Sequence, residues 1–317
     1  MRAVAFGVVA VVAIAACHGS EPTARVDSPP APAVDASNVV DDRVPIPAPD
    51  PSFLDLIGPD EIVQPGENKM FCAHFENTGD LLAIDAFAGQ EGNFGHHVDL
   101  FLTTDPEPPG TVEDCTSADA NAKLTWYVFN TTFPAGLAVA MPPGQHYVLQ
   151  YHYINASDYP ILVNAVGRAH HVEPATITTW TSTMMTNDLT VSLPIGQTQS
   201  TWDCALPSDR DLLVLFGHMH EYGTEIDIGL GSSADTVQTM YSIAPWSSVF
   251  RDNPPANDYF DAPIHLAAGS ILRTTCTWLN TTNEPIVYPN EMCMTFAYVA
   301  NAAGGSYQCN KPGSPAP

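Results

Sequence analysis

From Phe53 onward the apolar residues of this 317-residue chain fall in short runs, and no run keeps the 3.6-residue period of a long amphipathic helix. The runs at 81–87, 98–102, 147–154, 161–166, 212–216 and 295–299 are rich in β-branched and aromatic residues, and Gly, Pro, Asn and Asp separate them. A chain written this way buries its apolar groups between sheets. The expected fold is therefore all-β, with two antiparallel β-sandwich domains inside residues 53–312. A boundary near Glu173-Pro174 divides them into 53–174 and 175–312, with a short tail at 313–317. The 45% hydrophobic content excludes a disordered acidic solvator. A net charge of −25, from 35 acidic and 10 basic residues, excludes a nucleic-acid partner and argues against an anionic membrane surface.

Residues 1–17 read as an export signal. Arg2 supplies a positive start, and the apolar run at 3–16 is shorter than the roughly 20 residues a spanning helix needs. The run ends Ile14-Ala15-Ala16-Cys17, which resembles a bacterial lipoprotein box, with Cys17 the lipidated residue. The plainer alternative is an ordinary signal peptide with an incidental Cys. Residues 18–52 contain eight prolines and no aromatic residue, and read as an extended, disordered stalk. The implied location is the cell envelope of a bacterium, facing the periplasm or on the outer-membrane surface, with membrane contact only through the lipid. Six cysteines remain after Cys17: Cys72, Cys115, Cys204, Cys276, Cys293 and Cys309. An even count in an exported chain reads as up to three disulfides, with fifteen pairings open. No CxxC suggests a zinc ribbon or a thioredoxin-like site.

Histidine carries the chemical signal. His218 and His220 flank Met219, and on a strand residues i and i+2 share a face, so both imidazoles can reach one metal. His96-His97 needs a distorted backbone to do the same, because strand neighbours face opposite ways. His152 lies in the strand-like run Leu149-Gln150-Tyr151-His152-Tyr153, facing the same way as Gln150. His170-His171 has the form of His96-His97 but sits at the domain boundary. Each pattern alone is as well explained by ordinary surface or core histidines. Glu291-Met292-Cys293 adds a thioether, and thioether with imidazole is a copper combination.

Taken in order, Gly95-His96-His97-Val98, Leu149-Gln150-Tyr151-His152-Tyr153, Gly217-His218-Met219-His220 and Glu291-Met292-Cys293 resemble the copper type II, ascorbate-dependent monooxygenases. This is the family of peptidylglycine α-hydroxylating monooxygenase and dopamine β-monooxygenase. The resemblance covers about residues 53–311 and is weak between motifs. It implies two jelly-roll-like sandwiches facing each other across a solvent-filled cleft, each supplying one of two coppers. His96, His97 and His152 would form the all-His site. His218, His220 and Met292 would form the oxygen-activating site. The resemblance also implies the pairs Cys72–Cys115, Cys204–Cys309 and Cys276–Cys293, the last tethering the chain beside Met292. His170 and His171 match no family ligand.

The implied reaction is hydroxylation of an aliphatic C–H bond by O₂, with ascorbate as external reductant. In the amidating branch of the family a peptide carboxylate is clamped by polar groups at the places that here hold Phe216, Met294 and Phe296. A carboxylate in such a pocket would lack a partner. A neutral or apolar small-molecule substrate is expected instead, acted on by a monomer. Two other readings stay open: a copper-binding surface lipoprotein without turnover, and an adhesion or structural β-sandwich with incidental histidines.

Overall fold

The computed structural model describes residues 39–251, 253–301 and 305–315, so the signal segment, Cys17 and residues up to 38 lie outside the described residues. Nearly every apolar run singled out above forms a strand, because alternate residues in them can be buried on a pleated face. A five-stranded sheet has the order Val112–Asp114, Asn68–Glu76, His146–Ile154, Gly95–Thr103, Leu124–Val128, and every neighbouring pair in it is antiparallel. A four-stranded antiparallel sheet has the order Gly196–Ala205, Ile271–Asn280, Gly223–Gly231, Gln238–Ile243.

Both pack on a single sheet of 12 strands. The first part of that sheet contains Ile161–Val172 and Leu82–Glu91, and the second contains Thr179–Asn187, Met294–Ala300 and Arg210–His218. Leu149 of the five-stranded sheet lies against Gly167 of the large one. Thr274 of the four-stranded sheet bonds Thr186 and Thr295 of the large one, Oγ1 to Oγ1, at 2.8 and 2.7 Å. The architecture is thus all-β, built of several mainly antiparallel sheets.

The large sheet runs through the sequence boundary near Glu173-Pro174. That dipeptide opens a short turn, Pro174–Thr176, and the strand after it pairs in parallel with the first half, Thr179 to Leu137 and Thr181 to Val139. Trp126, fully buried, closes the seam. Its ring meets Phe216, Phe296 and Tyr298 at 5.9, 4.8 and 4.8 Å, and its carbonyl accepts a hydrogen bond from Thr183. The described residues accordingly form one compact unit. All six body cysteines are joined, Cys72–Cys115, Cys204–Cys309 and Cys276–Cys293, the pairing that the family resemblance implies. Three disulfides suit an oxidising, extracytoplasmic compartment. No helix among the described residues is long and apolar enough to cross a membrane.

The expected stalk is corrected at its C-terminal end. Val40–Asp41 pairs in parallel with Ile161 and Leu162, and Val44 N donates to Asn164 Oδ1 at 2.8 Å. The Asp42 carboxylate, 6% exposed, accepts from Asn93 N and Nδ2 at 2.9 Å and from Phe94 N at 3.1 Å. Proline content hid this, since polyproline-like segments and edge strands share an extended backbone. The turn so fixed leads directly into Gly95-His96-His97. A Cβ at Gly92 would lie 1.9 Å from the Asp42 carbonyl oxygen, so only glycine lets the two segments approach. Asp42→Ala removes the buried acceptor of three hydrogen bonds in this turn and should cost about 1–3 kcal/mol of stability in urea denaturation. An unchanged midpoint would show that the segment does not hold the turn.

Candidate metal centre

Adjacent histidines reach one site because the strand Gly95–Thr103 is bulged. Across from it His152 pairs with His97, but Tyr153 pairs with Gly95, leaving His96 as the extra residue. The bulge turns His96 onto the face that His97 already occupies. His97 and Asp99 on this strand are register partners of His152 and Gln150 on the next, so all four side chains project to one side. His96, His97 and His152 each offer a ring nitrogen, and these atoms lie within 4.8 Å of one another. This triad could hold a metal ion.

The hydrogen bonds around the rings decide which nitrogens face the centre. His152 Nε2 lies 2.5 Å from Asn68 Oδ1, and Asn68 Nδ2 donates to Asn290 Oδ1 at 2.8 Å. The amide oxygen therefore accepts from His152 Nε2–H, which leaves a lone pair on His152 Nδ1, a buried atom with no hydrogen-bond partner. His97 Nε2 faces Gln150 Oε1 at 3.3 Å, which places its lone pair on Nδ1, 3.2 Å from His96 Nδ1. Two nitrogens bound to one metal at about 2.0–2.1 Å in a near-tetrahedral site sit roughly 3.3 Å apart. The His96–His97 spacing thus suits two ligands of one ion, and the triad could hold a metal.

The HxH pair is built differently from the sequence expectation. The strand Arg210–His218 ends at His218, so His220 lies in the following turn and shared strand facing is not what aligns them. Glu291 does it. Its carboxylate accepts from His220 N at 2.6 Å, Met292 N at 2.9 Å and Tyr222 N at 2.9 Å, while Trp246 Nε1 donates to the His220 carbonyl at 3.0 Å. His220 Nδ1 lies 3.3 Å from the Asn290 carbonyl oxygen, to which it donates, so its Nε2 lone pair points at His218 Nε2, 3.1 Å away. That spacing again suits two ligands of one ion. Burial raises Glu291 to about 7, against the three backbone N–H groups that stabilise its charged form.

The two ligand sets touch, which corrects the expected cleft. The His96 ring lies 4.8 Å from His152 and 4.9 Å from His220, so five imidazoles form one cluster without a solvent-filled gap. The continuous large sheet brings the halves this close. Burial pushes His96, His152 and His220 well below the ordinary imidazole range, with neighbouring imidazoles adding to the effect. It brings His218 down to about 3. All four are neutral at pH 7 and present lone pairs rather than protons.

Beside the cluster is a cavity of about 50 Å³, lined by His97, His218 and Met292 together with Phe216, Met294 and Phe296. Phe216 stacks on Phe296 at 5.2 Å, so these walls are apolar as expected. Sequence reasoning missed Asn68, Gln150, Asp99, Asn187 and Glu291. Asp99 carried a legible signal, a lone acid two residues after His97 in an otherwise apolar strand. Burial raises its carboxyl to about 8. Arg251 also lines the cavity and is ion-paired with Glu221. His170 stands apart, with its Nδ1 2.5 Å from Asp85 Oδ1 and its ring against Phe53.

No family model and no curated protein matches the chain. Among solved structures it is similar to the major capsid protein P2 from bacteriophage PM2, at 10% identity over 80% of this chain and 99% of that one, with a TM-score of 0.31. It is also similar to a structure of infectious bursal disease virus, Gx strain, at 8% identity over 78% of this chain and 70% of that one, with a TM-score of 0.20. Likenesses this distant carry no argument about function.

Removing one imidazole of the triad should empty that site. His96→Ala and His152→Ala are expected to lower bound metal by about one ion per chain after equilibrium dialysis, and Asn68→Ala to weaken its affinity about 10–100-fold. His170→Ala should leave metal content unchanged. Loss of metal in the His170 variant would mean that the other histidine pair is the ligand.

Proposed function

We propose that this chain is a copper-dependent monooxygenase that hydroxylates an aliphatic C–H bond of a small substrate. One atom of O₂ enters the C–H bond and the other leaves as water, with two electrons supplied by ascorbate and two protons by ascorbate and solvent. The observation that carries the reading is the meeting of His96, His97 and His152 with the His218–His220 pair beside the cavity that Met292 lines. Imidazole alone suits several metals, while adding the soft thioether sulfur of Met292 favours Cu(I). Copper held by these two sets would supply the one-electron chemistry that lets O₂ react with an unactivated C–H bond.

The chain's own residues have separable tasks in this reading. Asn68, Gln150 and the Asn290 carbonyl accept the outward N–H groups of His152, His97 and His220, fixing each ring's tautomer and orientation. Glu291 holds the backbone of both His220 and Met292, and the Cys276–Cys293 disulfide tethers the next residue, so the thioether stays beside the imidazoles. Phe216, Met294 and Phe296 offer no charged partner to a carboxylate, which disfavours a peptide C-terminus as the handle.

A second reading is a copper-holding protein without turnover. The size of the cavity favours it, since about 50 Å³ admits only a small guest. Ascorbate-dependent O₂ uptake by the copper-loaded protein, with and without candidate substrates, separates the two.

Met292→Ile keeps side-chain size and apolarity, so the fold should persist, with a change of under about 1.5 kcal/mol. Substrate-dependent O₂ uptake is expected to fall to background, and Cu(I) affinity at the second set to drop. Full turnover in this variant would remove Met292 from the oxygen-activating site.

A further inference from the structure

The turn at 92–95 joins Leu82–Glu91 to Gly95–Thr103 and delivers His96 and His97 to the triad. It is gripped from two directions. On one side the buried Asp42 carboxylate accepts from Asn93 N, Asn93 Nδ2 and Phe94 N. On the other is Tyr153, the residue after His152. Its hydroxyl accepts from Gly92 N at 2.9 Å and donates to the Asn164 carbonyl at 2.6 Å. Ile154 N donates to the Phe94 carbonyl at 3.0 Å. The bulge that turns His96 onto the ligand face lies next to Gly95, whose register partner is Tyr153. Where His96 sits therefore depends on how firmly this turn is held.

The segment that carries Asp42 is attached by hydrogen bonds more than by burial. It pairs with one strand only, Val40 with Ile161 and Asp41 with Leu162. Val40 N and Asp42 N donate to the carbonyls of Pro160 and Leu162 at 3.0 and 2.9 Å. Val44 bonds the Asn164 side chain twice, through its N–H at 2.8 Å and its carbonyl at 3.2 Å. Asn164 is the residue whose carbonyl holds Tyr153, so the segment reaches the histidine turn both directly and through Asn164. Val40 is 43% exposed and Ile46, just beyond the segment, 64%. Apolar contact thus contributes little to keeping the segment in place.

We infer that residues 40–44 are a detachable clamp on the histidine triad and that Asp42 is its positioning residue. With the clamp seated, the turn is fixed and His96 meets His97 and His152 at ligand spacing. Without it, three donors of the turn lose their acceptor, and the triad must be ordered at the expense of metal affinity. The inference rests on the reading of the triad as a metal site. The other ligand set is held by Glu291, so the effect is confined to the triad. Pro45, Ile46, Ala48 and Pro49, which follow the clamp, are exposed. A cut there would leave the clamp a separate peptide held by a few hydrogen bonds, so the triad's grip on its metal depends on an intact N-terminal segment.

The test uses the full chain with Cu(II) as probe, the triad ion being the one lost in His152→Ala. Hydrogen exchange of the metal-free chain is followed in parallel. Asp42→Ala is expected to lower the affinity of the triad ion about 10–100-fold and to leave the other ion within about twofold. Amides 92–97 should exchange at least about tenfold faster, while those at 220–222 are unchanged. Asp42→Asn keeps the shape and one acceptor oxygen, and should lose less. Asp41→Asn, at an exposed side chain, should lose nothing. A chain with a protease site between Pro47 and Ala48, cut after folding and freed of the short piece, should match Asp42→Ala. A peptide of residues 39–47 should restore its affinity, and the same peptide with Asp42→Ala should not. Undiminished triad affinity in the cut chain would overturn the inference, as would equal losses at both ions or rescue by the variant peptide. If Asp42→Ala does not fold, the cut chain and the two peptides decide. Faster exchange at 92–97 in an Asp42 variant of a chain that binds no copper would uphold the clamp's hold on the turn and sink the metal reading. Two ions bound with an affinity indifferent to Asp42 would do the reverse.

Discussion

The carboxylate of Glu291 is the fixed point of the centre. It is fully buried, and it spends its acceptor capacity on three backbone N–H groups, those of His220, Tyr222 and Met292. These belong to two segments 70 residues apart in sequence, the turn after Arg210–His218 and the loop before Met294–Ala300. A buried carboxylate is tolerated only where such bonds replace water, and here they also determine where the HxH turn sits relative to Met292. The Cys276–Cys293 bond holds the same loop from its other side. Two chemically different constraints therefore meet at one short segment.

From that segment a hydrogen-bond chain crosses to the other half of the molecule. His220 donates to the Asn290 carbonyl, the Asn290 side chain accepts from Asn68, and Asn68 accepts from His152. The outer nitrogens of one ring in each ligand set are thus tied through two asparagines. Together with the continuous large sheet and the Trp126 seam, this explains why the sets lie in contact. A displacement of either half would break bonds made by the buried rings of His152 and His220.

Much of the strand content was legible because each apolar run is short and bounded by turn residues. Five of the six residues that the family motifs single out form one histidine cluster, Met292 lines the cavity beside it, and His170 lies apart. What the sequence hid has identifiable physical causes. A β-bulge leaves no composition signal, so the way His96 and His97 come to share a face could be stated only as a requirement for a distorted backbone. The alignment of His218 with His220 was ascribed to strand periodicity, whereas a carboxylate 71 residues away in sequence positions the second ring. Residues 39–44 looked like linker because Pro and acidic residues dominate the region, and strand pairing by Val40 depends on a partner that sequence alone does not reveal. The cleft was expected from a resemblance, which carries residue positions but not the distance between them.

Burial and chemistry are linked most directly in the protonation of the cluster. Desolvation disfavours the imidazolium form, and each neighbouring ring would repel a second proton at these separations. The outward N–H groups are engaged by Asn68, Gln150 and the Asn290 carbonyl, so the inward nitrogens are the ones left with lone pairs. His96, His152, His218 and His220, whose affinity for a proton is lowered by burial, would therefore lose little metal affinity to competition with protons at neutral pH. The same low-polarity surroundings that keep the histidines neutral raise the Asp99 carboxyl to about 8. One physical condition, burial at the junction of the two halves, thus keeps the imidazoles neutral and leaves lone pairs on the nitrogens that face one another.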